Sequence, residues 1–155
     1  MKRFGKIVAI LCVLGCLFAL FACEPVDNGN QNENITVGIL VSAEGLDKSF
    51  SVTGSFGTVE DVMVALAAEN EEFTYVASNS EYGLFVSAVC GYEVSGNEFW
   101  GLYTDTIRED NRGLLNVFEE YTLEYLGKTY YSCAQGVSGQ GVGDGETVLF
   151  TVGSF

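Results

Sequence analysis

"TVEDVMVALAAEN", Thr58 to Asn70, is the stretch whose reading decides the fold. Thr58 is a good N-cap, Asp61 stands at the N3 position to answer it, and Glu60 in the first turn faces the positive end of the helix dipole. Val59, Val62, Met63 and Leu66 recur at helical spacing and share one face, and Asn70 ends the segment. The spacing predicts a helix over about residues 59–69. A helix of that length with a single apolar stripe lies across a sheet and does not sit inside a bundle.

Outward from this helix the chain reads as strand. Upstream, "ITVGILV" (35–41) is β-rich and "KSFSVTG" (48–54) alternates polar and apolar around the turn-like "SAEGLD", which predicts a hairpin over 35–53. Downstream come "FTYVA" (73–77), "YGLFVSAV" (82–89), "EFWGLYT" (98–104), "YTLEYL" (121–126), "KTYYSCA" (128–134) and "ETVLFTV" (146–152). They are rich in β-branched and aromatic residues and are separated by turn residues such as "SNSE", "SGN", "LGK" and "GDGE". Residues 107–118, "IREDNRGLLNVF", predict a loop with a helical turn. A hairpin, one crossing helix and then more strands is an α+β sheet with the helix packed on one face.

Ahead of this domain, expected over 35–155, the N-terminus reads as an export segment, residues 1–22. "MKRF" and Lys6 form a short basic region, and the 16 residues "IVAILCVLGCLFALFA" are apolar or small. That is shorter than the roughly 20 residues a spanning helix needs. "LFAC", ending at Cys23, resembles a bacterial lipobox: aliphatic Leu20, small Ala22 beside the cut, then the thiol that accepts the lipid. "VLGC", ending at Cys16, matches the same short pattern, but cleavage there would leave "LFALFA" exposed. Residues 23–34 are a polar tether, with nothing to bury. The expectation is a lipoprotein held by a lipid anchor such as palmitate on Cys23, at the outward face of a bacterial cell membrane.

Charge narrows the partners. The chain has 7 basic and 21 acidic residues and a formal net charge of −14. Lys2, Arg3 and Lys6 belong to the export segment, so the remainder is more acidic still. Such a surface repels phosphate backbones and excludes nucleic acid as a partner. Three of the five cysteines (Cys12, Cys16, Cys23) precede the domain, which leaves Cys90 and Cys133. In an oxidising compartment these either form a disulfide or stay two buried thiols. With no histidine and no CxxC pair, a metal site is not expected.

Catalysis is not expected either. Without histidine the Ser-His and Cys-His arrangements are gone. Glu98 with Asp105, or Glu119 with Glu120, are carboxylate pairs that glycoside chemistry could use, but they read better as solvated strand-end charges. "GVSGQGVGDGE" is glycine-rich yet precedes a strand, so it offers no helix N-terminus to a phosphate. The aromatics Tyr75, Tyr82, Phe85, Tyr92, Phe99, Trp100, Tyr103, Tyr130 and Tyr131 are dense for the length. Alternation puts Trp100 on the face opposite Phe99 and Tyr103. Composition alone leaves these residues equally suited to a small β core and to an aromatic-lined site.

"TVEDVMVAL", "FTYVASNSEYGLFVSAVCGYE", "NEFWGLYTD" and "GVSGQGVGDGETVLFTV", in that order, resemble the C-terminal β domain of transcobalamin and intrinsic factor and its bacterial relatives. The resemblance covers roughly residues 58–152 and implies a β-grasp-like mixed sheet with one crossing helix that binds a soluble ligand without covalent chemistry. In the eukaryotic relatives the domain closes over cobalamin opposite a helical domain, so the resemblance points to a corrinoid. It nominates Tyr82, Gly83, Leu84, Phe85 and Trp100 as ligand-binding residues, with Tyr103 beside them. This chain carries no helical partner domain, has "TDT" where the family has Asn-Gly, and holds what reads as an insertion over 106–129. The competing expectation is an interaction module that docks a surface or transporter protein through the same sheet.

Overall fold

The computed structural model describes residues 34–110 and 112–155. The export segment, Cys23 and the tether as far as residue 33 lie outside the described residues. The elements in chain order are β1 (Ile35–Ala43), β2 (Leu46–Gly54), α1 (Val59–Glu69), β3 (Tyr75–Ser80), β4 (Gly83–Val89), β5 (Tyr92–Glu93), β6 (Glu98–Thr104), β7 (Val117–Tyr125), β8 (Lys128–Cys133) and β9 (Thr147–Ser154). They form an α+β fold with a six-stranded sheet, order β2-β1-β9-β6-β8-β7, and a three-stranded sheet, order β3-β4-β5.

The helix begins where its cap chemistry places it. Thr58 is extended (φ −136°, ψ 167°) and its hydroxyl accepts from the Asp61 N–H, while the Asp61 carboxylate accepts from the Thr58 N–H at 2.9 Å. This reciprocal box satisfies two donors that the first turn would otherwise leave open and is worth about 1 kcal/mol. Val59, Val62, Met63 and Leu66 are the buried residues of the helix. They join Val37, Ile39 and Val41 of β1, Phe50 and Val52 of β2, and Val148 and Phe150 of β9 in one core. Each such side chain taken wholly out of water contributes about 1.5–3 kcal/mol.

β1 and β2 pair antiparallel from Ile35↔Gly54 to Ala43↔Leu46, the predicted hairpin made longer. β1 also pairs with β9, in parallel from Gly38↔Thr147 to Ser42↔Thr151. The small sheet lies beside α1 on the same side of the large one: Val86 and Val89 of β4 belong to the shared core, and Trp100 and Leu102 of β6 pack against it. The reverse face has its own buried residues, Leu149 and Tyr130. There Tyr125 packs edge-on against Tyr130 (6.4 Å) and donates from its hydroxyl to Asp47 of β2 at 2.8 Å. β7 and β2 are opposite edges of the sheet, so this contact shows how far the sheet coils.

One expectation needs correction, and two others take definite form. Residues 107–118 contain no helical turn among the described residues; the chain is irregular to a Glu109–Leu115 bridge, and β7 begins at Val117. Asp110 accepts from the N–H groups of Arg112 and Leu114, and Asn116 accepts from that of Arg108. Side chains that capture local backbone donors in this way compete with helix formation. The strand expected at "YTLEYL" is present and starts earlier: within 106–129, β7 forms a sheet edge and pairs with β8 from Val117↔Cys133 to Tyr125↔Lys128 across a bulge. Of the two states expected for Cys90 and Cys133, the structure has free thiols, Cys133 buried and Cys90 half-buried. Cys90 sits in the two-residue turn between β4 and β5 near Lys48 and Glu72, and Cys133 ends β8 near Arg108 and Glu146.

Candidate binding cleft between the two sheets

β6 positions the site. It pairs with β9 along its length, Glu98↔Ser154 to Thr104↔Val148, but with β8 only at Tyr103 and Thr104. Glu98–Leu102 therefore have an unpaired backbone edge within the sheet, and the small sheet stands alongside. Between them lies a cleft of about 290 Å³ lined by Leu84, Phe85, Val86, Phe99, Trp100, Leu102, Gly136, Val137, Phe150 and Phe155. None of these side chains is ionisable. The cleft floor is continuous with the hydrophobic core, because Val86, Val137 and Phe150 are core residues and Leu84, Trp100 and Leu102 pack against them.

The walls are held by a few specific contacts. The Leu84 N–H donates to Ser138 Oγ at 3.1 Å, tying the start of β4 to the 136–139 loop. Tyr92 meets Trp100 edge-to-face at 5.7 Å, a geometry that suits the ring quadrupoles. Phe99 stacks on Phe155 at 4.7 Å and also covers Gly153, its cross-strand partner. A Cβ on Gly153 would stand 2.7 Å from the tip of the Phe99 ring, so glycine is what lets the ring lie flat on the sheet. Asn97 fixes Phe155 by accepting from its N–H on the backbone (3.1 Å) and donating from its side chain to the Phe155 carbonyl (2.8 Å).

Of the residues nominated from sequence, the cleft gathers Leu84, Phe85 and Trp100. Tyr82 lies in the turn before β4 with 91% of its surface exposed, and Gly83 opens β4 at φ +103°. Neither lines the cleft. Tyr103 is on the far face of β6, where its ring covers Gly101 at 3.0 Å from a would-be Cβ. Trp100, whose role composition left open, is both core and wall: it packs on the core and lines the cleft. Its Nε1 is buried and has no hydrogen-bond partner among the described residues. Sequence reasoning missed Val137 and Phe155, which reach the cleft from a loop and from beyond the predicted last strand. The "GVS" triplet was a signal for the first; nothing signalled the second.

The carboxylate pairs do not converge. Glu98 and Asp105 stand at opposite ends of β6, about 23 Å apart by strand rise, where paired acid chemistry needs under about 10 Å. Glu98 accepts from the Ser95 N–H. Asp105 accepts from Lys128 and from the Thr147 N–H, and its side chain is 3% exposed. Burial pushes the Asp105 carboxyl up, but the bonds from Lys128, Thr147 and Thr106 outweigh it and hold it below the usual aspartate value. Glu119 and Glu120 are exposed on β7. Among the described residues no group of three or more His, Cys, Asp or Glu side chains is placed to hold a metal ion.

Comparison with known proteins finds likeness in structure only. No family profile matches the chain, and no curated protein does. Haptocorrin, crystallised in complex with Cbi, aligns with a TM-score of 0.58 at 16% identity over 83% of this chain. This chain spans 27% of that protein's length. A protein of Ruminococcus gnavus, provisionally assigned as metal binding, aligns with a TM-score of 0.51 at 16% identity, over 80% of this chain and 99% of its own. At these identities the likeness is one of fold.

Proposed function

We propose that this protein is a lipid-anchored, outward-facing binding protein whose inter-sheet cleft takes a soluble small molecule, with corrinoids as the first class to test. The observation that carries the reading is the cleft itself: aromatic and aliphatic walls, no ionisable side chain in the lining, and the open edge of β6 alongside. Such a surface suits a ligand with apolar area to bury and polar groups that hydrogen-bond to backbone. The lack of an acid, base or nucleophile in the lining supports binding without chemistry. The fold shared with haptocorrin, crystallised with Cbi, supports a corrinoid as the ligand.

Size dictates the mode. A cleft of about 290 Å³ is at the small end of ligand pockets, so a large ring enters by one edge or a side group. Its remainder lies over Phe85 and Phe155, which are 52% and 91% exposed at the mouth, with Tyr82 in the turn that precedes β4. Lipidation at Cys23 would keep this acidic domain close to, but not on, its membrane.

The decisive experiment is titration of the purified domain with cobinamide and cobalamin, following the single tryptophan's fluorescence and checking by calorimetry. Saturable binding that Trp100→Phe weakens and Phe155→Ala also weakens is the expected result. Absence of saturable binding below about 100 µM, a free energy of about −5.5 kcal/mol, sinks the corrinoid reading. For the anchor, Cys23→Ala is expected to release the protein from the membrane fraction and to abolish incorporation of labelled palmitate.

A further inference from the structure

A second cleft, of about 820 Å³, lies between the 108–118 segment and the 134–141 loop. Leu114, Leu115, Val117 and Phe118 give it apolar walls. Its charged lining residues are Arg108, Arg112, Glu109 and Asp110, so two cations face two anions in a protein that is otherwise strongly acidic. Arg112 is paired with Asp110 at 2.7 Å, and Arg108 with Glu146 and the Gly141 carbonyl. The cleft therefore selects for neither charge.

Gln140, 1% exposed, also lines it. The Gln140 backbone is fully engaged, its N–H donating to the Gly136 carbonyl and its carbonyl accepting from the Val59 N–H. Its side-chain amide is not: Nε2 and Oε1 are both buried without a partner among the described residues. A buried amide with donor and acceptor both unmet is costly, and it is most simply retained where something else completes it. Volume and wall character fit a small organic molecule.

We propose that this cleft binds an uncharged small molecule bearing a carboxamide or lactam edge, read by Gln140 through its adjacent donor and acceptor. The amide is covered, so it meets the ligand after a side-chain adjustment; exposed Gln135, folded over Gly139 at the same cleft, is the neighbour free to move. One wall comes from the 108–118 segment and the other from the 134–141 loop, whose Gly136 and Val137 reach the inter-sheet cleft; the two clefts share no lining residue, so this site is tested separately from the other.

The test uses 2-pyrrolidinone and acetamide as probes against cyclopentanone and acetone, shape-matched ketones that lack the N–H. Nitrogen–proton NMR spectra of the domain are recorded during titration, with the Gln140 side-chain signal assigned by its loss in Gln140→Met. Saturable shifts of that signal and of the Gly139 and Gly141 amides are expected with the amides, and affinity about tenfold weaker with the ketones. Gln140→Met keeps volume while removing the unmet amide, so its thermal midpoint is expected to equal or exceed the parent's while probe binding is lost. Leu114→Trp, which fills the cleft from its exposed rim, is expected to block the probes and preserve the fold. Equal response to amides and ketones, no saturable response, or binding that survives either substitution overturns the proposal. So does a clearly lowered midpoint for Gln140→Met, because it would assign the amide a structural role.

Discussion

The two clefts are built in opposite ways. The inter-sheet cleft is a gap in packing: strands β4 and β6 bring apolar side chains that also belong to, or rest on, the core. The cleft beside the 108–118 segment is enclosed by irregular chain and held by polar contacts. Arg108 reaches Glu146 and the Gly141 carbonyl, residues distant in sequence, and Thr104 donates to the other oxygen of Glu146 at 2.5 Å. In the first cleft a wall residue fails gradually, because dispersion and burial are spread over many contacts. In the second, one charge holds a buried carboxylate in place, and its loss is abrupt.

The sharpest way to break this contrast is Arg108→Ala. It would leave Glu146, whose side chain is fully buried, with only Thr104 and the Gly143 N–H. A loss of about 3 kcal/mol in urea denaturation is expected, the low end for a broken buried pair because Arg108 is itself 31% exposed. Arg112→Ala, at the same cleft but with a side chain 68% exposed, is expected to cost less than about 0.5 kcal/mol. Equal costs would show that the ion pair does not hold the wall.

On the apolar side, Trp100 is only partly buried, so Trp100→Ala is expected to cost about 2 kcal/mol, under the roughly 3–5 kcal/mol of a fully buried aromatic, and Trp100→Phe less than about 1.5 kcal/mol. Phe155→Ala, at the mouth, should change stability by less than about 0.5 kcal/mol. If Phe155→Ala destabilised as much as Trp100→Ala, the mouth would be part of the core and the distinction between wall and rim would fall.

Acid tests a third kind of contact. Asp105 has a folded-state pKa below its ordinary value of 3.8, so it stabilises the fold above that value, and the contribution disappears as pH falls through the depressed pKa. Stability measured between about pH 6 and pH 2 should decline less steeply for Asp105→Asn than for the parent. An identical slope would show that the bonds from Lys128 and Thr147 carry no net preference for the carboxylate. The smallest effect is chemical. Burial, with Glu146 nearby, pushes the Cys133 thiol up to about 12, whereas Cys90 is half-buried in a turn. A disulfide-exchange reagent at neutral pH should label Cys90 first and Cys133 only on unfolding.

Much of the fold was legible because its signals are local. The Thr58–Asp61 box and the Val59, Val62, Met63, Leu66 stripe define α1 at the residues expected. Alternation in "ITVGILV" places Val37, Ile39 and Val41 on the helix side, and β-branched runs mark the longer strands. The two-residue strand β5 escaped notice because Cys90 takes a left-handed conformation (φ 49°) in a turn whose obvious glycine is Gly91. Over 107–118 the composition of "IREDNRGLLNVF" is helix-compatible, but Asp110 and Asn116 spend their side chains on local backbone bonds, so no helical turn forms among the described residues. For the site, Leu84, Phe85 and Trp100 were nominated and do share one cleft. Tyr103 was nominated too, although its opposite parity to Trp100 already set it on the other face.

By itself the sequence determined the α+β class, the amphipathic helix α1, the strand faces and the strongly acidic character, since each depends on periodicity, capping or composition within a short window. Tertiary structure decided the rest. It set the parallel β1–β9 pairing and the coil that brings Tyr125 to Asp47. It placed the open edge of β6 beside β4, and it buried Glu146 and Gln140, of which only Glu146 has a charge partner. These are encounters between residues far apart in the chain, and no local pattern specifies which polar groups will be enclosed when the sheets close.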